Sequence, residues 1–271
     1  MPRLAVLGQP VSHSRSPAMQ SAALAEMGLA GEWSYEPIEV SAEAFAELVH
    51  SLPERGFAGV NVTIPHKVAA LALADSASDA AREIGAANTL TFRDGRTHAD
   101  NTDAAAIAEC LPGSPRGMSA LVMGAGGSAR AAVWALREAG AIVSVWNRTE
   151  TKARDLAEEL GVSFGVGEPQ IVINATTVGM DPAPGGQSLP GEGEPDLKHL
   201  PVLSDDLKAE VVIDLVYGSR ETELIGAARA AGATVVDGLE ILVRQGAASL
   251  RIWTGLEPPL DAMRRAVGVS P

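Results

Sequence analysis

The chain has 271 residues, of which 46% are hydrophobic and 20% charged, and it carries a net charge of −13. This length and composition are ordinary for a folded protein with one large or two medium domains and a substantial core. The acidic balance argues against nucleic acid or an anionic membrane surface as a partner, because both need clustered lysines and arginines.

Cysteine content and the N-terminal sequence narrow the class of protein further. The one cysteine, Cys110, excludes an intramolecular disulfide and any metal site built from several cysteines. Residues 1–3 lead directly into strand-like sequence without the apolar segment of a signal peptide, and no apolar run reaches spanning length. We therefore expect a cytoplasmic protein with no membrane partner.

The first hundred residues alternate between predicted strands and helices. Strands are predicted at 4–7, 35–40 and 57–64, helices at 17–27, 42–52 and 67–84 (one helix or two), and a hairpin that joins 89–92 to 97–99 through an Asp-Gly turn. We expect Ser16 and Ser41 to cap the N-termini of the first two helices. In the first helix, Pro17 should be the first helical residue and Gly28 should end the helix.

The third strand ends in the sequence NVTIPHK, residues 61–67. Two-residue periodicity directs Asn61 and Thr63 to one face of the strand and their apolar neighbours to the other. Inward-facing polar groups are costly unless a partner hydrogen-bonds them, and a polyhydroxylated ligand beside Lys67 is one such partner. The alternative is a polar edge strand followed by a helix with Pro65 at its first position.

A second αβ module follows the breaker sequence PGSP at residues 112–115. A helix at 104–111 precedes it; its own strands are predicted at 120–123, 142–146, 170–174, 211–215 and 234–236, and its helices at 128–138, 151–160 and 221–231. We interpret 181–206, rich in proline, glycine and acids, as a mobile loop, and we predict helical structure from residue 238 to the end. This order is typical of a doubly wound sheet.

A glycine-rich loop in this module predicts dinucleotide binding. Residues 124–129, GAGGSA, fit the G-x-G-x-x-G/A fingerprint between an apolar strand and a helix. The glycines permit a tight turn and let backbone N–H groups approach a pyrophosphate at the helix N-terminus. The alternative is a purely structural turn.

The end of the following strand indicates which dinucleotide binds. NAD-binding proteins usually place Asp or Glu there, whereas this chain has Asn147, Arg148 and Thr149, with Lys152 a turn later. Arg148 can hold a 2′-phosphate through two hydrogen bonds and Lys152 adds positive charge, which favours NADP(H). The alternative is that Arg148 is an ordinary surface arginine.

Short motifs follow one another in order along the whole chain. They are GQPVSHSRSP at 8–17, NVTIPHK at 61–67, GAANT at 85–89, DNTD at 100–103, the glycine loop, NRT at 147–149, NAT at 174–176, DLVY at 214–217, and DGL at 237–239 with Gln245. Each motif is weak alone, but together they closely resemble the NADP-dependent shikimate dehydrogenase family. The resemblance implies reversible reduction of 3-dehydroshikimate to shikimate by NADPH, in chorismate and aromatic amino-acid biosynthesis.

The same resemblance implies roles for individual residues. It implies that Lys67, with Asp103 beside it, transfers the proton. It implies that the substrate carboxylate is bound by Ser14, Ser16 and Tyr217, and that the ring hydroxyls are bound by Thr63, Asn88, Asp103 and Gln245. Its cofactor-binding positions are Gly124, Ala125, Gly126, Gly127, Ser128, Asn147, Arg148, Thr149, Lys152, Thr176, Leu215 and Gly238. It implies no metal, and we assign no role to His66.

Elementary chemistry is consistent with these roles. A helix N-terminus at Ser16 favours an anion, although Ser16 could simply be a cap. A dehydrogenase must supply a proton to the oxygen that gains the hydride's electrons, and an ammonium at Lys67 can both donate that proton and stabilise the developing alkoxide. Asp103 would orient the amine; its alternative role is to complement the helix dipole.

The implied fold is α/β with two domains and an active-site cleft between them. Residues 1–103, completed by helices at 238–271, form an N-terminal substrate-binding domain with a mixed sheet. Residues 104–237 form a doubly wound Rossmann domain that binds NADP(H). The expected partners are the small-molecule substrate and cofactor, and the expected assembly is a monomer or a homodimer.

The sequence departs from the family pattern at two cofactor-binding positions. Lys152 stands where the family often has arginine and Leu215 where it has methionine, and these differences bear only on the cofactor affinity.

Rival functions predict other residues at key positions. The nearest rival is a quinate/shikimate dehydrogenase that uses NAD, but such enzymes tend to have an acid at position 147 and threonine at position 16. A non-enzymatic NADP-binding sensor would lack the Lys67 and Asp103 pair. A different two-domain reductase does not explain the serines at 14 and 16.

Overall fold

The computed structural model describes residues 1–180, 200–202, 208–218 and 221–269. The loop predicted at 181–206 lies outside this range apart from residues 200–202. Internal contacts divide the chain into two compact units, one formed by Met1–Asp103 with Leu242–Pro271 and the other by Ala104–Ile241. The first unit therefore combines both ends of the chain, and the second is one continuous stretch.

The elements alternate along the chain much as predicted. The strands are β1 (Arg3–Gly8), β2 (Ser34–Glu39), β3 (Phe57–Val62), β4 (Ser76–Ala77), β5 (Thr89–Arg93), β6 (Arg96–Asp100), β7 (Ser119–Met123), β8 (Ile142–Trp146), β9 (Ser163–Phe164), β10 (Ile171–Asn174), β11 (Val211–Asp214) and β12 (Thr234–Asp237). The helices are α1 (Ser16–Glu26), α2 (Phe45–Ser51), α3 (Lys67–Ala72), α4 (Asp79–Ile84), α5 (Asp103–Cys110), α6 (Gly127–Glu138), α7 (Glu150–Leu160), α8 (Glu223–Ala230), α9 (Gly238–Thr254) and α10 (Leu260–Val267). A 3₁₀ turn covers Pro53–Arg55.

The first unit contains a six-stranded mixed sheet with strand order β2-β1-β3-β5-β6-β4. β1 runs parallel to β2 and β3, whereas β3 and β5 are antiparallel, as are β5 and β6. Apolar residues of β1, β3 and β5 form one core with helix α2; Leu7, Phe45, Val60 and Leu90 are all fully or almost fully buried in it. The mixed sheet predicted for this part of the chain is confirmed.

The second unit contains a six-stranded sheet in the order β12-β11-β10-β7-β8-β9, and its strand pairs are all parallel. β8 lies on one side of the first strand, β7, and β10 lies on the other, which is the arrangement of a doubly wound fold. Every residue of β10 and β11 is buried, as expected for parallel strands covered by helices on both faces. The doubly wound prediction is confirmed.

Two predicted helix starts are wrong. Helix α1 begins at Ser16, with Arg15 in the cap position and no side-chain cap bond, so Ser16 is not the N-cap and Pro17 is not the first helical residue. The hydroxyl that meets the helix start belongs to Ser14, whose Oγ accepts the Ser16 N–H at 3.3 Å. Ser41 accepts the Ala44 N–H at 3.4 Å, and helix α2 begins only after that turn.

The segment from the third strand to the hairpin also differs in detail. β3 ends at Val62, two residues early, whereas α3 begins at Lys67 as predicted and not at Pro65, the start that the alternative required. The predicted helix at 67–84 is a pair, α3 and α4, separated by β4. Prediction missed β4 and β9 because a strand of two residues shows no periodicity. The Asp-Gly hairpin is confirmed, and Asp94 and Gly95 both have positive φ, as a two-residue turn of this kind requires.

Within the described residues, every helix is either too short or too polar to cross a membrane.

Candidate active site

A buried ion pair joins two residues from separate segments of the first unit. Lys67 Nζ donates to Asp103 Oδ2 at 2.7 Å, and the two side chains are only 10% and 11% exposed. Lys67 is the first residue of α3 and Asp103 the first residue of α5. A buried charge is tolerated only when it is paired and hydrogen-bonded, so each of these groups needs the other.

The Asn88 carboxamide holds the other carboxylate oxygen of Asp103. Its Nδ2 donates to Asp103 Oδ1 at 2.9 Å and to Gln245 Oε1 at 3.2 Å. Its Oδ1 accepts the backbone N–H of Thr102 at 2.8 Å, which fixes which end of the amide is oxygen. Gln245 Nε2 donates to Leu242 O at 2.7 Å, so the Gln245 amide also has one orientation. Four predicted residues, Lys67, Asn88, Asp103 and Gln245, therefore form one bonded cluster, which we call the Lys67 cluster.

Backbone hydrogen bonds hold the segments of the Lys67 cluster together. Ala87 N–H donates to Lys67 O at 2.8 Å, and Asn88 N–H donates to Asp100 O at 3.1 Å. Asn101 Oδ1 accepts the Asp103 N–H at 3.1 Å, while Asn101 Nδ2 donates to Ala86 O at 2.9 Å. The GAANT and DNTD motifs of the sequence are thus a single bonded unit around the ion pair.

The predicted carboxylate-binding serines follow the carboxyl end of β1, beside the carboxyl end of β3. The N–H of Thr63 donates to Leu7 O at 2.8 Å, and a Cβ on Gly8 would lie 2.4 Å from Thr63 Cγ2. Gly8 must therefore be glycine for the two strand ends to approach. Ser14 and Thr63 are half-buried and Ser16 is buried. Parallel strands present their following residues at one edge of the sheet, so this edge carries Ser14, Ser16 and Thr63.

Asn61 does not present its amide to a ligand, contrary to one interpretation of the third strand. Its Oδ1 accepts from Tyr35 Oη at 2.8 Å, and its Nδ2 lies within hydrogen-bonding distance of Ser249 Oγ at 2.9 Å and Thr89 Oγ1 at 3.3 Å. The protein itself satisfies this buried polar group. The correction matters because it leaves Thr63 and Lys67 as the ligand-facing candidates of that segment.

His66 is a structural residue next to the Lys67 cluster. Its ring stacks on Phe45, with ring centroids 4.4 Å apart and an interplanar angle of 9°, and its Nε2 bonds Val40 O at 2.8 Å. Burial lowers the pKa of His66, although the bond to Val40 O opposes this shift. The imidazole therefore packs neutral beneath the start of helix α3.

The predicted cofactor residues of the second unit follow strand ends that lie side by side. Met123 pairs with both Trp146 and Asn174, Asn174 pairs with Asp214, and Asp214 pairs with Asp237. Gly124, Asn147, Leu215 and Gly238 come directly after four of these five strand ends, and Thr176 comes two residues after the fifth. In doubly wound folds ligands bind at this edge of the sheet, next to the strand where the order reverses.

The glycine loop makes a tight turn and leaves open space at the start of helix α6. Gly124 has φ +118°, and a Cβ there would lie 2.7 Å from Ala175 O, so only glycine fits. Gly126 caps the 12-residue helix α6 from an extended conformation, and a Cβ there would meet nothing within 4 Å. The open space lies before helix N–H groups that have no partner within the helix. Ala125, Gly127 and Ser128 complete this turn.

The residues predicted to distinguish NADP from NAD are exposed. Arg148, Thr149 and Lys152 lie on the surface at the end of β8 and the start of α7, with Asn147 half-buried behind them. Asn147 Nδ2 donates to Thr149 O at 3.0 Å, which ties the turn together. The nearby acid Glu150 is paired with Arg154 at 2.6 Å, so it does not neutralise the other two cations. Exposed cations of this kind suit a 2′-phosphate.

A buried acid that prediction left without a role organises the loops after β10 and β11. Asp214 is fully buried and accepts from Asn174 Nδ2 at 2.9 Å, Val216 N at 3.0 Å and Thr222 Oγ1 at 2.5 Å. Burial raises the pKa of Asp214, against the lowering effect of these hydrogen bonds. The side-chain Oδ1 of Asn174 accepts from Thr176 Oγ1 at 2.7 Å. The NAT and DLVY motifs signalled this cluster, although not which side chains build it.

Tyr217 is half-buried in the second unit, after β11. Across the parts of the chain that the structure describes, no group of three or more His, Cys, Asp or Glu side chains could hold a metal ion.

Comparisons with known proteins agree with this geometry. The profile of the shikimate dehydrogenase substrate binding domain matches residues 6–90, and that of the shikimate 5′-dehydrogenase C-terminal domain matches residues 238–267. The chain is 43% identical to a shikimate dehydrogenase (NADP(+)) of Thermus thermophilus, over 99% of this chain and 100% of that protein. The corresponding protein of Methanocella arvoryzae is 41% identical over 96% of both chains.

A crystal structure gives the same result. It is that of shikimate 5-dehydrogenase from Thermus thermophilus in complex with NADP(H) and shikimate, with 42% identity, a TM-score of 0.85, and 99% coverage of both chains. Agreement at this level extends over sequence, domain order and fold. The chain belongs to the shikimate dehydrogenase family.

Proposed function

We propose that this chain catalyses the reversible NADPH-dependent reduction of 3-dehydroshikimate to shikimate, with Lys67 and Asp103 handling the proton. The observation that carries the proposal is the buried 2.7 Å ion pair between these residues, inside a cluster whose other members suit a polyol. Full-length identity to NADP-dependent shikimate dehydrogenases supports the substrate and the cofactor.

Lys67 performs the proton transfer. Bound NADPH supplies a hydride to the carbonyl carbon of the substrate. The carbonyl oxygen then takes the electron pair of the C=O bond and needs one proton, which the Lys67 ammonium donates; in the reverse direction the neutral amine accepts it. The ammonium also stabilises the oxygen while negative charge develops on it. Asp103 orients the amine, and Asn88 holds Asp103.

Hydroxyl and amide groups bind the substrate. Ser14 and Ser16 bind its carboxylate at the start of helix α1, where N–H groups and the helix dipole favour an anion, and Tyr217 lends its hydroxyl to the same group. Thr63, Asn88 and Gln245 recognise the ring hydroxyls. The close approach of the β1 and β3 ends at Gly8 supports the placement of the serines beside Thr63.

The second unit binds NADP(H) along the carboxyl edge of its sheet. The glycine loop and helix α6 hold the pyrophosphate, as the open space at Gly126 supports. Arg148 and Lys152 bind the 2′-phosphate; Arg148 supplies the planar fork and Lys152 a point charge. Thr176, Leu215 and Gly238 line the nicotinamide end of this edge. Residues 1–103 and 242–269 form the substrate-binding unit.

The direct test measures absorbance of the reduced nicotinamide with each pairing of shikimate or quinate with NADP or NAD. We expect turnover to be fastest with shikimate and NADP. Comparable rates with quinate or with NAD would instead indicate a quinate/shikimate dehydrogenase. No turnover with any pairing, together with measurable NADP(H) binding, would indicate a sensor.

The role of Lys67 is tested with Lys67→Ala and the matched control Lys208→Ala. Lys208 is an exposed lysine of the second unit. Loss of a positioned proton donor should lower kcat about 10²-fold or more with little change in KM, because the interaction acts mainly in the transition state. The control should behave as the parent. Near-normal turnover of Lys67→Ala would remove this assignment.

The cytoplasm is the proposed location, because a biosynthetic reduction draws on a pool of NADPH. The proposed assembly is a monomer or a homodimer. Light scattering coupled to size-exclusion chromatography distinguishes these from larger assemblies.

A further inference from the structure

Ser249 is the most connected buried hydroxyl near the Lys67 cluster. It lies on helix α9 and is 0% exposed. Its Oγ lies 2.9 Å from Asn61 Nδ2, 2.8 Å from Thr89 Oγ1 and 3.2 Å from Thr102 Oγ1, and it donates to Gln245 O at 3.0 Å. One hydroxyl thus connects helix α9 to strands β3 and β5 and to the segment before Asp103.

Two partners of Ser249 contact the Asn88 amide. Thr89 Oγ1 donates to Asn88 Oδ1 at 3.1 Å, and Thr102 Oγ1 lies 2.9 Å from Asn88 Nδ2, from which it accepts, so the Thr102 proton is available to Ser249 Oγ. A threonine hydroxyl rotates freely unless its partners fix it. Because the Ser249 proton is directed to Gln245 O, its lone pairs are available to Asn61 and to one threonine.

The nitrogen of the same amide faces Asp103. Asn88 Nδ2 donates to Asp103 Oδ1, which leaves Oδ2 for Lys67 Nζ. A carboxamide does not relay protons as an acid does, so this chain of bonds orients groups and carries no proton. Ser249 makes no hydrogen bond with Lys67 or Asp103, and Asn88 is the side chain that links its bonded partners to the Asp103 carboxylate.

We infer that Ser249 is a positioning residue for the reaction: through the Thr102 hydroxyl it fixes the Asn88 amide, and through Asn88 it fixes the Asp103 carboxylate against Lys67. The inference rests on the proposed function. Removal of the hydroxyl leaves Asn88 with rotating partners and lets the carboxylate move, and buried polar networks respond to such a deletion as a unit.

The test compares Ser249→Ala with Thr254→Ala in the full chain. Thr254 is a matched control because it lies on the same helix and makes the same kind of bond to a carbonyl four residues earlier, Leu250 O, at 2.8 Å. We expect Ser249→Ala to lower kcat/KM for shikimate about tenfold, because it removes one hydrogen bond that helps to orient the Asn88 amide. Its affinity for NADPH, measured by fluorescence, should stay within about twofold of the parent, since one hydrogen bond far from the cofactor edge is removed. Thr254→Ala should match the parent in both.

A double variant separates positioning from a general loss of structure. If Ser249 acts through Asn88, then Ser249→Ala should cost nothing more in kcat/KM when Asn88 is already alanine. The inference is overturned if Ser249→Ala retains parental kcat/KM, if its loss is equally large in the Asn88→Ala background, or if Thr254→Ala loses as much. An active parent with an unaffected Ser249→Ala would overturn only this inference, whereas an inactive parent would overturn the proposed function as well.

Discussion

The two halves of the candidate residue set, one in each unit, are built in opposite ways. The Lys67 cluster is buried and its polar atoms are bonded to one another. The cations proposed to select the cofactor are exposed, and Arg148 and Lys152 make no ion pair with any residue that the structure describes. Under the proposed function, the difference teaches that the groups which transfer the proton hold one another in place, whereas the groups which recognise a phosphate are exposed to solvent.

The largest expected effect comes from removal of charge within the buried half. Asp103→Asn keeps the shape of the side chain but replaces the acceptor for Lys67 with an amide. We expect kcat for shikimate oxidation to fall about 10²-fold, because the amine is no longer held in one position. Steady-state kinetics measures it, with the exposed acid Asp261 changed to Asn as the control. A fall of less than about threefold would mean that orientation in the buried half is not needed.

Substitution of an exposed cation should weaken binding of the cofactor and leave the turnover number unchanged. Arg148→Ala should raise KM for NADPH about tenfold and leave KM for NADH unchanged, because only the phosphorylated cofactor has the group that Arg148 holds. Arg154→Ala, six residues further along the chain and paired with Glu150, is the control. Equal losses with both cofactors would contradict the phosphate assignment.

Two glycines of one loop separate binding from folding. Gly126→Ala places a methyl group in open space, so we expect unchanged thermal stability but several-fold weaker NADPH binding, because the methyl occupies space needed by the pyrophosphate. Gly124→Ala meets the Ala175 carbonyl and has positive φ, so it should unfold more readily, by roughly 1–3 kcal/mol. Calorimetry and fluorescence titration measure the two effects. Tight NADPH binding by Gly126→Ala would place the pyrophosphate elsewhere.

The smallest effect concerns stability beside the Lys67 cluster. The pKa of His66 is lowered from its ordinary 6.5 in the folded chain, so below pH 6.5 the unfolded chain binds the extra proton. The contribution of His66 to stability is therefore complete above pH 6.5 and is lost as pH falls through the folded pKa. We expect Tm to fall by a few degrees more between about pH 7 and pH 5 in the parent than in His66→Gln. Parallel Tm curves for the two proteins would show that His66 does not titrate in this way.

The sequence was a good guide to the fold where periodicity and turn residues agree. The parallel strands of the second unit and the Asp94-Gly95 hairpin have strong local signals and are confirmed. The start of α1 was wrong because Ser14 and Ser16 both fit a helix start, and only the turn that precedes them decides between the two. Strands of two residues depend on tertiary pairing and leave no pattern to recognise.

The site was predictable as a set of residues but not as a network. Motif resemblance selected Lys67, Asn88, Asp103 and Gln245, which the structure joins. The strand pattern favoured a ligand as the hydrogen-bond partner of Asn61, whereas its partners in the structure are Tyr35 and Ser249. Those contacts link segments up to 188 residues apart, so no local pattern can reveal them. The spacing of Gln245 and Ser249, one helical turn, was the available signal.

The first unit contains both ends of the chain, which affects the order in which the protein can fold during synthesis. Residues 104–241 form a unit of consecutive sequence, which can acquire its sheet as soon as it leaves the ribosome. Strands β3 and β5 can make their contacts with helix α9 only after that helix has been synthesised; its Trp253 indole sits against Gly59 and donates to Leu90 O at 3.2 Å. The first-made part of the polypeptide is thus finished last, and a nascent chain that stops before residue 245 lacks a fully assembled centre.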